Sequence, residues 1–328
     1  MTILELIEAG AQQLIDSGVA FGHGTSNAFD EAAWLVLWQL GLPLDSPLEG
    51  TENEPELVTN RAVSPVERAQ VAALLEARIT SRKPAAYLTH EAWLQGVAFY
   101  VDERVIVPRS FIAELLVNGA IDPWLDAATP RDDEESTLRN DEESTLRNDK
   151  ESTLRVLDLC TGNGSLAVLA AMEYPDVDVT AADLSLEALA VARINIDKHR
   201  LQPRITLLLS DGLSSTELQS RGPFDLILCN PPYVNAQSMA ALPPEYHAEP
   251  ALALDGNMQG GSDGMDFIRS LLRDAPAQMT PDAVLVLEIG NEREHFEAAF
   301  ATLETVWLDT SAGEDQVLLL TREALLKC

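Results

Sequence analysis

From residue 155 to 321 the chain alternates short apolar runs with stretches of helical apolar spacing, and few folds accept that rhythm. Runs at 155–160 (RVLDLC), 178–183, 205–210, 225–229 and 283–289 (AVLVLEI) read as buried strands. Between them, residues 164–173, 185–199, 264–278 and 292–302 read as helices, with Ser185 as the cap of the second. Strands alternating with helices imply a parallel, doubly wound sheet. Two further strands, 305–309 and 316–321 (QVLLLT), have only six residues between them. That is too few for a helical crossover, so the last strand is expected to run antiparallel.

The first strand of this sheet leads into a glycine-bearing turn, VLDLCTGNGSLA (156–167). Gly162 and Gly164 let the backbone turn tightly and approach a ligand, and Ala167 takes the third small position where helix packs on strand. A G-x-G-x-x-A is weak alone, since an ordinary strand–helix turn produces it. Here it opens the wound sheet, and Asp183 ends the next strand, placed to bond ribose hydroxyls. A nicotinamide dinucleotide and S-adenosylmethionine both suit such a site. Asp158 favours the second, because an acid facing the site suits an ammonium and would repel a pyrophosphate. Asp211, in LLLSDG, ends the third strand; it reads as a turn former before Gly212 or as a contact to an adenine amino group.

The fourth strand ends abruptly, in FDLILCNPPYVN (224–235). Ligands sit at this carboxyl edge of a wound sheet. Pro231 and Pro232 leave nearby carbonyls without sheet partners. Asn230 adds an amide acceptor, and Tyr233 a flat ring. Together they suit a planar amide or exocyclic amine.

Before the sheet, residues 2–17, 27–41 and 65–81 have helical spacing; Asn27 starts the second and Ser64 with Pro65 the third. Residues 91–108 carry aromatic and β-branched runs around Gly96, which suggests a β-hairpin, and 110–120 is helical again. Residues 134–155 give the unit EESTLRND almost three times, with one apolar residue per unit, so it builds no core. The expected division is a helical domain over 1–90, a hairpin and helix over 91–126, a linker over 127–153 and a catalytic domain over 154–328.

The net charge is −31. Residues 131–155 hold nine acids and five bases, a net of −4, so −27 belongs to the rest. Such acidity disfavours duplex DNA and admits a basic protein partner. No run approaches a membrane span, no basic n-region precedes an apolar run at the N-terminus, and three scattered cysteines suit a reducing cytoplasm.

These motifs carry a resemblance. NPPY after the fourth strand and DLCTGNGSLA at the first resemble the class I S-adenosylmethionine-dependent methyltransferases that modify planar nitrogens. PAAYLTHEAWLQGVAFYVDERVIVPRS (84–110) is similar to the segment preceding the catalytic domain in protein-glutamine methyltransferases. GHGTSN (22–27) and LPPEYHAEPALAL (242–254) are similar to the branch acting on ribosomal protein uL3. The chain departs from the release-factor branch, which usually reads R-P-E-T-E where this one has Arg109-Ser110-Phe111-Ile112-Ala113, and which tends to carry an aromatic at Gly212.

The resemblance implies a class I methyltransferase fold plus a small helical N-terminal domain with a hairpin. It implies that S-adenosylmethionine lies against Asp158, Thr161, Gly162 and Gly164, with Asp183 at the ribose and Asp211 near the base. Asn230, Pro231, Pro232 and Tyr233 would hold a glutamine of uL3, Asn230 also bordering the cofactor. Phe99, Tyr100 and Arg109 either close over the site or pack structurally. No metal, DNA or membrane is implied. The alternatives are release-factor glutamine methylation, a DNA adenine methyltransferase, a dehydrogenase, and a non-enzymatic ribosome-assembly factor.

Overall fold

A computed structural model describes residues 1–48, 57–126 and 153–327. The chain forms two compact units, Met1–Arg109 with Ala236–Asp255, and Ser110–Asn235 with Gly256–Cys328. These divide the chain elsewhere than at 90, 126 and 153. The expected linker, apart from residue 153, lies outside the described residues.

The first unit is built on helices α1 (Ile3–Asp16), α2 (Ala28–Gln39) and α3 (Pro65–Ser81), with short α4 (Ala85–Thr89). The starts of α1, α2 and α3 are chemically marked. Thr2 with Glu5 and Ser64 with Glu67 form capping boxes, and the Asn27 side chain accepts from the Asp30 N–H. Ile3, Ile7, Leu14, Leu35, Leu37 and Leu75 make the buried core. Strands β1 (Ala92–Leu94) and β2 (Val97–Phe99) pair antiparallel across Gln95-Gly96. Both turn residues have positive φ, 48° and 74°, as a two-residue hairpin with the native twist requires.

Residues 236–255 lie between the fourth strand and the helix expected at 264–278. They contain a helix, Ala236–Ala241, and two 3₁₀ turns, Pro244–Ala248 and Ala251–Ala253, and belong to the first unit. Ions hold them there. Arg78, fully buried, donates from Nε to Glu31 (2.7 Å) and from Nη2 to the Ala20 carbonyl (2.8 Å), and lies 3.5 Å from Glu245. Glu245 also accepts from the Ala20 N–H (3.0 Å) and Arg82 (3.1 Å).

Glu249 accepts two parallel bonds from Arg109, at 2.6 and 2.8 Å, and one from the Val107 N–H at 2.9 Å. His23 Nε2 stands 3.6 Å away, beyond hydrogen-bonding distance, with its ring 4.3 Å from that of Tyr246. The GHGTSN and LPPEYHAEPALAL stretches thus meet at His23, Tyr246 and Glu249.

The second unit is a seven-stranded sheet of β3 (Leu154–Leu159), β4 (Val177–Asp183), β5 (Ile205–Leu209), β6 (Phe224–Cys229), β7 (Met279–Glu288), β8 (Val306–Thr310) and β9 (Gly313–Thr321). Its order is β5-β4-β3-β6-β7-β9-β8. The first five strands are parallel, and β9 is antiparallel to both β7 and β8, as the short β8–β9 connection predicts. Helices Ser165–Glu173 and Leu186–Lys198 follow β3 and β4, the latter capped by Ser185. The expected helix at 264–278 is α-helical only over Asp266–Asp274 and continues as a 3₁₀ turn, Ala275–Gln278. Pro276 has no N–H to extend the α ladder. A short helix, Thr216–Arg221, had no clear sequence signal.

Burial alone would raise the Glu249 pKa, but the Arg109 charge and the His23 contact outweigh it and hold it at about 2. A depressed folded pKa contributes stability that is full above the unfolded carboxylate range and lost as pH falls through the folded value. Glu249→Gln should cost on the order of 3 kcal/mol at pH 7 and flatten the loss of stability between about pH 4.5 and 2. Urea unfolding across that range tests this; parallel curves for both proteins would refute it.

Candidate active site

The turn after β3 is a compact bonded loop. Cys160 (φ 61°), Gly162 (φ 54°) and Gly164 (φ 81°) all lie in the left-handed region. A Cβ at Gly164 would stand 3.1 Å from Ala192 Cβ and 3.3 Å from its Cα, so glycine lets this turn meet helix Leu186–Lys198. The Thr161 N–H donates to the Ala182 carbonyl on β4 (3.0 Å), and the Gly164 N–H to the Thr161 carbonyl (2.8 Å).

Asp158 is buried inside this loop. Its Oδ2 accepts from the Thr161 hydroxyl (2.5 Å) and the Ala167 N–H (3.0 Å), while Oδ1 is buried without a partner. Burial pushes its pKa up to about 7, against the lowering pull of those two bonds. Asp183 accepts from the Gly162 N–H (2.9 Å) and the Ser185 N–H (2.8 Å), and burial raises its pKa as well. Both acids therefore brace the turn, a role the sequence reading did not assign them. Each carboxylate still has acceptor capacity for a ligand.

Asn163 was missed from sequence. It is buried, its Oδ1 accepts from the Ser165 N–H (3.1 Å), and its carbonyl accepts from Asn195 Nδ2 (2.9 Å). Its place between the two glycines was the available signal. Asp211 lies exposed, two residues past β5. At neighbouring Gly212 a Cβ would stand 3.5 Å from the ring of Phe267, on helix Asp266–Asp274. An aromatic thus stands beside Gly212 from elsewhere in the chain.

The register of β3 on β6 pairs Leu159 with Cys229, so the glycine turn and Asn230 emerge from adjacent strand ends. There the strand order reverses, since β4 and β5 lie beyond β3 and β7 beyond β6. This is the switch point where wound sheets bind ligands. Cys160 and Cys229, far apart in sequence, are free thiols brought together here; the neighbouring Cys229 thiol, with burial, pushes the Cys160 pKa up.

Asn230 is half-buried, and its carboxamide has no hydrogen-bond partner among the described residues. The carbonyls of Pro231 and Pro232 likewise accept no hydrogen bond from the described residues. Two glycines seat Tyr233. A Cβ at Gly290 would lie 2.6 Å from its Cε2, and one at Gly264 would lie 2.1 Å from its carbonyl oxygen. Asn235 Nδ2 then donates to both oxygens of Glu292 (2.8 and 2.9 Å). The Val234 carbonyl accepts from the Gly256 N–H (3.1 Å) and Asn257 Nδ2 (3.0 Å), joining the two ends of the 236–255 excursion.

The second unit therefore brings together Asp158, Thr161, Gly162, Gly164 and Asp183, with Asn230, Pro231, Pro232 and Tyr233 beside them. The hairpin residues have partners of their own in the first unit. Phe99 is fully buried, the Tyr100 hydroxyl donates to Asp102 (2.8 Å), and Arg109 is paired with Glu249. Among the described residues no cluster of His, Cys, Asp or Glu could hold a metal, and no helix is long and apolar enough to cross a membrane.

Residues 144–258 match the methyltransferase small domain family model. Curated relatives match over nearly the whole chain. The ribosomal protein uL3 glutamine methyltransferase of Bordetella pertussis is 47% identical over 324 residues, 99% of this chain and 96% of the relative. That of Burkholderia pseudomallei is 46% identical, covering 97% of this chain and 94% of the relative. That of Bradyrhizobium diazoefficiens is 41% identical, covering 97% and 89%.

Proposed function

Because the chain belongs to the ribosomal protein uL3 glutamine methyltransferase family, we propose that it methylates the side-chain amide nitrogen of a glutamine in uL3, using S-adenosylmethionine. The observation that carries this reading is the pair of free acceptors, Asn230 Oδ1 and the Pro231 carbonyl, at the sheet's switch point in a chain so close to these relatives. The reading includes a cytoplasmic location and substrate recognition by the N-terminal helical unit.

The turn residues fit the cofactor. The buried, unpartnered Asp158 Oδ1 suits an ammonium, Thr161, Gly162 and Gly164 suit close backbone approach, and Asp183 has capacity for ribose hydroxyls. Asp211 and Phe267 offer an acceptor and an apolar face for the base. No Lys or Arg lies within 156–167, so nothing in the turn favours a pyrophosphate. When bound, S-adenosylmethionine supplies an electrophilic methyl group on a sulfonium.

The rest of the work falls to this chain's residues. A glutamine amide nitrogen is a weak nucleophile, because its lone pair is delocalised into the carbonyl. Asn230 Oδ1 and the Pro231 carbonyl accept from its two N–H groups and fix its direction, which converts binding into alignment. The same acceptors stabilise positive charge developing on the nitrogen. Tyr233, seated on Gly290, covers the planar group. The proton leaves to water, so the scheme needs no histidine.

Three outcomes follow. Asn230→Ala should lower turnover by ~10²–10³-fold and leave cofactor affinity intact; near-normal turnover would sink the mechanism. An ammonium selects the ionised form of Asp158, so below pH 7 cofactor binding must first release a proton. Affinity should therefore rise on the order of tenfold from pH 6 to 7.5, and Asp158→Asn should flatten that slope in calorimetric titrations. Equal slopes would remove Asp158 from the ammonium site. Finally, radiolabelled methyl transfer onto purified uL3 and purified release factor should label a glutamine of uL3. Label confined to the release factor would overturn the substrate.

A further inference from the structure

The first unit carries a cleft that the methyl-transfer scheme does not use. Its volume is about 330 Å³, at the small end of ligand sites and suited to one long side chain rather than a cofactor. The walls include two indoles, Trp34 and Trp93, with Leu37 and Leu44; Asp30 and Asp45 also line it. Gly24 (φ +98°) is part of the lining, and a Cβ there would stand 3.1 Å from Trp34 Cζ3, so glycine leaves that side of the indole clear.

Trp93 is 46% exposed, and its Nε1 donates to Glu91 (2.7 Å), which ties down the ring's polar edge and leaves an aromatic face in water. Trp34 is 9% exposed, and its buried Nε1–H has no acceptor. Asp45 has neither an ion pair nor a side-chain hydrogen bond among the described residues. Asp30 has only its neighbour Asn27. Residues 1–48 contain six acids and no Lys or Arg. Arg78, which reaches into this region, is already paired with Glu31.

Two indole faces beside uncompensated carboxylates attract a cation from both sides. Ring quadrupoles favour a cation over their faces, and acids supply the longer-range pull. We propose that this cleft binds a lysine or arginine side chain of the basic protein substrate and so docks it on the first unit. The proposal rests on the uL3 reading for the partner, but its chemistry stands on the first unit alone.

The experiment has two arms. In the first, methyl transfer to uL3 is measured for Trp93→Ala and Asp45→Lys, both at exposed positions. Each should raise KM for uL3 about fivefold or more, with the effect confined to KM and the Asp45→Lys effect shrinking at high salt. KM within twofold of wild type in both variants would overturn the proposal. In the second, a hexa-arginine peptide is titrated into the full chain with tryptophan fluorescence as readout. It should bind wild type and lose at least fivefold in affinity with Trp93→Ala; equal binding would overturn the cleft. If wild type leaves uL3 unlabelled, the functional reading fails, and the peptide arm still decides the cleft.

Discussion

The parallel pairing of β3 with β6 is the constraint on which the site depends. It sets Leu159 opposite Cys229, and the left-handed turn and Asn230 begin one residue later on each strand. On β3 the chain turns left-handed at Cys160 and wraps its amides around Asp158 and Asp183. On β6 it stops at Asn230 because two prolines forbid further pairing. Had either strand slipped by one residue, each of its side chains would move to the opposite face of the sheet. The acceptors of Asn230 and Pro231 would then no longer emerge beside the glycine turn. The third participant is β7, whose trailing Gly290 provides the seat for Tyr233.

Buried carboxylates behave oppositely in the two units, and the count of partners explains it. Glu249 is desolvated, yet Arg109 grips both its oxygens, so its charge persists to about pH 2. Asp158 is also desolvated, yet it has only a hydroxyl and an amide on one oxygen, so its proton is lost only near pH 7. The first arrangement fixes residues 236–255 in place. The second leaves one oxygen, Oδ1, buried without a partner, the oxygen proposed above for an ammonium. Buried pairs of the Arg78 kind are weak sources of stability, since desolvation offsets most of their attraction. They do penalise any packing that leaves Glu31 or Glu245 alone.

The sheet was legible because its signals are local and repeated. Apolar runs of strand length, the Ser64 and Ser185 caps and the two prolines each act within a few residues of themselves. Even the antiparallel last strand followed from one loop length. The 236–255 excursion was not legible, because its membership depends on Glu245 and Glu249 meeting Arg78, Arg82 and Arg109, over 130 positions away in sequence. No periodicity marks such a partner. The supports of the site were hidden for the same reason. Gly264 and Gly290 carry no motif of their own, and only the close approach of Tyr233 shows why they are needed. Asp158 and Asp183 were visible as acids at strand ends, but their bonds to the turn amides appear only once the loop is folded.

Two acceptors, and no Lys or Arg within 156–167 or 230–235, also bear on what the proposed site would refuse. In the proposed scheme a glutamine side chain would present two N–H groups to Asn230 Oδ1 and the Pro231 carbonyl. A glutamate of the same length would present carboxylate lone pairs to both, leaving four acceptors facing one another without a proton. Sites built to pair with an N–H reject analogues lacking it by about 10⁴–10⁵-fold, because the buried acceptors are left unpaired. An Asp at position 230 would sharpen that repulsion, but would carry a full charge, and desolvation raises the pKa of a carboxylate, as it does at the buried Asp158. A carboxamide avoids this titration. It offers the same acceptor at every pH where the protein folds, and its dipole lies ready before charge develops on the substrate nitrogen.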